Sequence, residues 1–99
     1  MTSLHESTIA FIGSGAMGEA MIKGLLTRAL IGADHIIGSD PVAARRDYIT
    51  QSYGVQTTDD NAHAVRAADL VVMSIKPQAL STVAATLQGA LKPNALILS

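Results

Sequence analysis

The sequence predicts an α/β protein with a doubly wound parallel sheet of five strands in the order 3-2-1-4-5. Apolar segments with the composition of buried strands alternate along the chain with segments of helical periodicity. The strand segments lack polar alternation, which is typical of parallel strands covered on both faces. Right-handed crossovers between such strands leave few topologies, and this order is the one we expect.

The first strand is predicted at residues 8–12 (TIAFI) and the first helix at residues 16–30. Gly32 stands where a glycine commonly follows a helix end. The residues predicted to share one face of this helix are Met17, Ala20, Met21, Gly24 and Leu25.

A second strand is predicted at residues 35–39 (HIIGS). Asp40 and Pro41 follow it with the pattern of a helix N-cap and a first helical residue. We therefore expect a second helix that runs to about residue 53 and stops at Gly54.

The remaining elements continue the alternation of strand and helix. A short strand is expected at 55–57, a helix at 61–68 and a strand at 70–74. An apolar stripe at helical spacing predicts a helix over 80–91. A fifth strand opens at 95–98, and because the chain ends there we expect it to be the front part of a longer protein.

Composition narrows the functional classes. The chain has 99 residues, 48% of them hydrophobic, which fits one small globular domain. A net charge of −1 and an aromatic content of 3% argue against nucleic acid and anionic membranes as partners. With no cysteine, no membrane-length apolar run and a polar start, a soluble cytoplasmic protein is expected.

Gly13, Gly15 and Gly18 form a G-x-G-x-x-G motif between the first predicted strand and helix. In this setting the first glycine permits the tight turn and the second lets the backbone approach a pyrophosphate. The third lets the helix pack against the strand. The motif therefore predicts a Rossmann-type dinucleotide site, with the alternative of a tight turn that binds no ligand.

Asp40 stands at the tip of the second strand, where an acidic residue commonly accepts a hydrogen bond from the ribose 2′-hydroxyl of NAD. It could equally be only a helix N-cap. Arg45 and Arg46 on the next helix could reach a 2′-phosphate, although solvated helix arginines are commoner. The choice between NADP and NAD stays open on the sequence.

Other chemistry-bearing residues have ordinary structural readings. His5, His35 and His63 are too widely spaced to indicate a metal site, so no metal is expected and we interpret them as surface or edge residues. No nucleophile and base can be paired, so the catalytic residues are unknown. The methionines expected in the core are Met17, Met21 and Met73, and Met17 could also touch a cofactor.

Two longer segments together indicate a narrower family. FIGSGAMGEAMIKGLL and SYGVQTTDDNAHAVRAADLVVMSIKPQ resemble the pyrroline-5-carboxylate reductases over essentially the whole chain. The glycine motif is common to many dehydrogenases, whereas the SIKPQ loop with its upstream asparagine is more specific. The resemblance implies NADPH or NADH as cofactor, hydride transfer to 1-pyrroline-5-carboxylate, and a role in proline biosynthesis.

The resemblance also implies where the cofactor would lie. The pyrophosphate would be held by the glycine motif and its neighbours, namely Ile12, Gly13, Ser14, Gly15, Ala16, Met17 and Gly18. Asp40 would lie at the adenosine ribose, and Asn61 would reach the adenine side, although it is equally a candidate helix N-cap. Ser74, Ile75, Lys76 and Pro77 would line the nicotinamide-ribose side, with a solvated loop lysine as the alternative for Lys76.

The chain departs from this family at two points. Asp40 stands where members that prefer NADP tend to avoid a carboxylate. Residues 1–99 are expected to form the dinucleotide-binding domain alone, without the helical C-terminal domain through which the family dimerises and binds substrate. Two alternatives remain, a coenzyme domain of another 6-phosphogluconate-dehydrogenase-like reductase and a nucleotide-binding module without catalysis.

Overall fold

The computed structural model of the protein describes residues 6–98. Its five strands are β1 (Ile9–Ile12), β2 (Ile36–Ser39), β3 (Gln56–Thr58), β4 (Leu70–Met73) and β5 (Leu96–Leu98). They form one parallel sheet in the order β3-β2-β1-β4-β5. The predicted fold class and strand order are therefore confirmed.

Helices connect successive strands, as a parallel sheet requires. They are α1 (Ala16–Thr27), α2 (Ala43–Tyr53), α3 (Asn61–Val65) and α4 (Leu80–Thr86), with single 3-10 turns at Ala33–His35 and Pro77–Ala79. Helices α1, α3 and α4 are shorter than the sequence predicts. Within residues 6–98, no helix is both long enough and apolar enough to cross a membrane.

The core has two layers, one on each face of the sheet. Alternate residues of β1 divide between them, with Phe11 on one face and Ile12 on the other. The first layer contains Ile9, Phe11, Ile22, Ile31, Ile36, Ile49, Val55 and Val72. The second contains Ala10, Ile12, Ala64, Val65, Ala68, Val71, Met73 and Leu87. Strand β1 is therefore buried on both faces at the centre of the sheet, and the candidate site begins where this strand ends.

The end of α1 corrects the prediction that Gly32 stops this helix. Ala29 adopts a left-handed conformation with a φ of 54°. Its N–H donates to the Leu26 carbonyl, and the N–H of Leu30 donates to the Leu25 carbonyl. These two bonds form a Schellman motif with alanine at the position that usually holds glycine.

Two predicted burial patterns are wrong. Met17 and Met21 are exposed, because Gly18 and Ile22 are the residues that α1 turns toward the sheet. Met73, the third methionine expected in the core, is buried. Strand β5 was expected to be covered on both faces, but all three of its residues are exposed. Its parallel pairing with β4 is as expected.

Candidate cofactor-binding site

Residues 13–18, here called the glycine loop, leave β1 at the carboxyl edge of the sheet. Gly13 has a φ of 88°, and a β-carbon built on it would lie 2.6 Å from the Ser74 carbonyl oxygen. Its N–H donates to the Ser39 carbonyl, while the Ser74 N–H donates to that of Ile12. The fold itself therefore requires glycine at position 13, whatever binds there.

The other two glycines of the motif differ in what surrounds them. A β-carbon on Gly18 would lie 2.7 Å from the Gly13 carbonyl oxygen, so this glycine lets α1 approach the strand. A β-carbon on Gly15 would meet nothing within 4 Å. Gly15 is the N-cap of α1 with an extended φ of −75°, and no side chain caps this helix end. The backbone conformation does not require glycine at position 15, and open space lies before it.

Asp40 lies beside the glycine loop, but it is not the N-cap of α2. That helix begins at Ala43 with Val42 as its N-cap, so the predicted capping pair of Asp40 and Pro41 is wrong. The Asp40 carboxylate instead accepts the Val42 N–H at 2.9 Å and the Ser14 N–H at 3.2 Å. One carboxylate therefore closes the turn after β2 and ties it to the glycine loop.

Buried polar groups connect the glycine loop to α3. The Ser14 hydroxyl donates to the Ser39 carbonyl at 3.4 Å, and the Ser39 hydroxyl donates to the Asn61 side-chain oxygen. The Asn61 amide donates to the Thr86 hydroxyl at 3.3 Å. Asp60 caps α3, so the alternative of Asn61 as the N-cap is wrong and its amide faces these partners.

A cleft of about 290 Å³ opens at this edge of the sheet. Four residues predicted from sequence line it, namely Ile12, Gly13, Asn61 and Ile75. A larger hollow of about 430 Å³ lies toward the amino ends of the strands, where His35, His63 and Arg66 are among its lining residues. That hollow contains none of the predicted site residues. The carboxyl edge is where open parallel sheets bind ligands, which favours the smaller cleft.

The segment after β4 borders the same region. The Ser74 hydroxyl is buried and has no hydrogen-bond partner within residues 6–98. It lies 3.7 Å from the β-carbon position of Gly18, at the start of α1. Lys76 and Pro77 are exposed, and Pro77 opens the 3-10 turn that interrupts the predicted strand-to-helix connection. An orphaned hydroxyl beside an open helix start fits a polar ligand.

Comparison with known proteins decides the family. A family model described as NADP oxidoreductase, coenzyme F420-dependent, matches residues 8–99. The chain belongs to this family. The glycine loop, the open start of α1 and the cleft all lie within the segment that this family model matches.

Curated relatives of known name give a more specific likeness. The pyrroline-5-carboxylate reductase of Pseudomonas aeruginosa is 44% identical over 91 residues, which are 92% of this chain and 33% of the relative. That of Vibrio alginolyticus is 38% identical over 97% of this chain and 35% of its own. The chain therefore spans about a third of the length of the reductases it resembles.

Solved structures agree with this likeness. A pyrroline-5-carboxylate reductase from Coxiella burnetii superposes with a TM-score of 0.86 at 29% identity, covering 92% of this chain and 34% of that one. A prephenate dehydrogenase from A. aeolicus gives 0.83 at 21% identity, over 97% of this chain and 34% of that one, and shows the fold alone. The resemblance inferred from the sequence is confirmed.

The sequence analysis missed one group of residues at the site, since it considered its member Arg45 only as a contact of a 2′-phosphate or as a solvated arginine. The carboxylate of Glu19 accepts hydrogen bonds from Arg45 at 2.6 Å, Tyr48 at 2.8 Å and Tyr53 at 2.5 Å. We call these four residues the Glu19 cluster. It joins the first turn of α1 to α2, and Arg45 also donates from Nε to the Ser14 carbonyl oxygen at 2.5 Å.

The hydrogen bonds of the Glu19 cluster shift the pKa values of two of its members. The hydroxyls of Tyr53 and Tyr48, followed by Arg45, lower the pKa of Glu19 from 4.5 to about 2. The hydrogen bond to Glu19, with desolvation, raises the pKa of Tyr53 to about 12. Glu19 is therefore ionised and Tyr53 neutral near pH 7. Among residues 6–98, no group of three or more histidine or acidic side chains could hold a metal.

Proposed function

We propose that this domain binds a nicotinamide dinucleotide, NADH or NADPH, with the pyrophosphate against the glycine loop. The observation that carries the proposal is the open space at Gly15. Gly13 and Gly18 are required by contacts within the fold, whereas a side chain at position 15 would project into the space before α1. A ligand that must approach the backbone there accounts for the glycine.

The start of α1 offers suitable chemistry for a phosphate. In an α-helix the first four N–H groups have no carbonyl partner within the helix, and here they belong to Gly15, Ala16, Met17 and Gly18. They point along the positive end of the helix dipole, which favours an anion. The exposed side chain of Met17 would then lie beside the cofactor rather than in the core.

The remaining proposed contacts follow the edge of the sheet. In this proposal Asp40, which lies beside the glycine loop, accepts a hydrogen bond from the adenosine ribose, and Asn61, which lines the cleft, faces the adenine. The nicotinamide ribose would then lie against residues 74–77, and the unpartnered Ser74 hydroxyl supports this part of the proposal. These residues bind and orient, while the cofactor, when bound, supplies the hydride.

For the complete protein we propose reduction of 1-pyrroline-5-carboxylate to L-proline, as a step of proline biosynthesis. The curated relatives of this name support the proposal, and they are about three times as long as this chain. We therefore expect substrate-binding groups, a proton donor and the contacts of a homo-oligomer to come from further chain. Residues 1–99 alone should bind cofactor and form no proline, and proline formation by them would contradict this division of roles.

Calorimetric titration with NADH and NADPH tests the cofactor site. Gly15→Val should lose affinity by about tenfold or more, because the side chain blocks the approach to the backbone. Gly24→Val is the matched control, since a β-carbon at Gly24 also meets nothing within 4 Å and lies farther along the same helix. Equal affinities in the wild type and both variants, or no binding by the wild type, would overturn the proposal.

A further inference from the structure

We infer that Arg45 is a positioning residue of the cofactor site, which sets the direction of the backbone N–H of Gly15. Arg45 does this by holding the Ser14 carbonyl oxygen while Glu19 holds Arg45. Only the expected effect of Arg45 on cofactor binding rests on the proposed function. The backbone arrangement itself can be tested without a cofactor.

The Ser14 carbonyl and the Gly15 N–H belong to one peptide unit. A trans peptide is planar, and its C=O and N–H point in opposite directions. Because the Arg45 Nε donates to the Ser14 carbonyl oxygen at 2.5 Å, this oxygen points toward Arg45 and the Gly15 N–H points away from it. The peptide unit before it is fixed as well, since the Ser14 N–H donates to Asp40. Side chains on α2 and on the turn before it therefore fix two successive peptide units of the glycine loop.

Arg45 is itself held in place by contacts with Glu19 and Tyr48. Its Nη2 lies 2.6 Å from a Glu19 oxygen, with side-chain exposures of 28% and 20% for the two residues. Its guanidinium carbon lies 5.1 Å from the centre of the Tyr48 ring. Tyr48 and Tyr53 both donate to the other Glu19 oxygen, which keeps the carboxylate turned toward Arg45.

A guanidinium is suited to this role in a way that an ammonium is not. Arg45 uses Nε for the glycine loop and Nη2 for Glu19, so two acceptors are bridged by one rigid planar group. A lysine keeps the positive charge but presents a single nitrogen on a flexible stem. Arg45→Lys therefore keeps the electrostatic attraction of the cofactor phosphates but removes the bridge that positions the glycine loop.

The first test needs no ligand. In Arg45→Lys, the amide NMR signal of Gly15 should shift because its peptide unit is no longer held, while the signal of Gly54, at the far end of α2, stays in place. Arg66→Lys is the matched control, because Arg66 is exposed and lies toward the other end of the sheet. Unchanged Gly15 signals in Arg45→Lys would overturn the inference.

The second test measures binding of NADH, NADPH and inorganic pyrophosphate. Arg45→Lys should weaken all of them by about tenfold, and Arg66→Lys should not. If Arg45→Lys fails to fold, Glu19→Gln replaces it, because it keeps the shape but removes the charge that anchors Arg45. Wild-type affinity in a folded variant would overturn the inference. Absence of binding by the wild type would instead overturn the proposed function, and the Gly15 signals would still decide the role of Arg45.

Discussion

The carbonyl oxygen of Gly13 lies 2.7 Å from the position that a β-carbon on Gly18 would occupy. The two ends of the glycine loop are thus in contact through backbone alone. Both groups belong to the main chain, so neither can move aside as a flexible side chain would. This contact, rather than any ligand, explains the third glycine of the motif.

Gly18→Ala is therefore expected to destabilise the protein by about 1–3 kcal/mol, as overpacking in a closed site does. Urea unfolding followed by circular dichroism measures the loss. Gly24→Ala is the control on the same helix, where the added methyl meets nothing within 4 Å. It should stabilise by up to about 1 kcal/mol through helix propensity. Equal effects of the two substitutions would show that α1 does not approach Gly13 as described.

Ala29→Gly should stabilise the protein by about 1 kcal/mol, because alanine at a φ of 54° carries the strain of the left-handed region. Thermal unfolding detects the gain as a higher midpoint. Ala20→Gly, at an exposed position inside α1, should lower the midpoint through the cost of glycine in a helix. A lower midpoint for Ala29→Gly would contradict the Schellman end of α1.

Asp40 should make the site prefer NADH to NADPH, because its carboxylate repels a 2′-phosphate and accepts from a 2′-hydroxyl. Asp40→Ser removes the carboxylate, so the preference for NADH, measured as the ratio of the NADPH and NADH dissociation constants, should fall by about tenfold. Asp47→Ser, the same charge change at an exposed site on α2, is the control. A wild-type preference for NADPH would refute the ribose role of Asp40.

The stability contributed by Glu19 should depend on pH. Its pKa falls from 4.5 to about 2 on folding, so the folded state favours the ionised carboxylate. The contribution is therefore fully present above about pH 4.5 and disappears as the pH falls toward 2. In Glu19→Gln the free energy of unfolding should fall less steeply with pH over this range than in the wild type. Urea unfolding at several pH values measures this dependence. Asp47→Asn, which removes an exposed carboxylate of the same helix as Arg45, is the control for the change of charge.

Local pattern was enough to predict the order of the strands and the place of the glycine loop. Apolar runs identify β1 and β4, and α2 ends at Gly54 as expected, where the structure shows a left-handed conformation. The end of α1 was mispredicted because glycine was expected where the chain uses Ala29. Met17 and Met21 were mispredicted because Gly18, which has no side chain, faces the sheet and shifts the buried face.

The Glu19 cluster could not be predicted from the sequence. Glu19 and its partners Arg45, Tyr48 and Tyr53 are 26, 29 and 34 residues apart, and no spacing rule connects two helices across a strand. Their meeting depends on how α1 and α2 lie on the sheet. The only local signal was an acidic residue in the first turn of a helix, which is common for reasons of the helix dipole alone.

The two outer strands of the sheet have opposite chemistry. Strand β3 presents Gln56, Thr57 and Thr58, and α2 engages it through the hydroxyl of Thr50. Strand β5 presents Leu96, Ile97 and Leu98, with 61%, 44% and 46% of their surfaces exposed. Apolar side chains at the β5 margin favour association there over the polar margin of β3. We therefore expect a strand that extends the sheet, from the same polypeptide or another, to pair with β5.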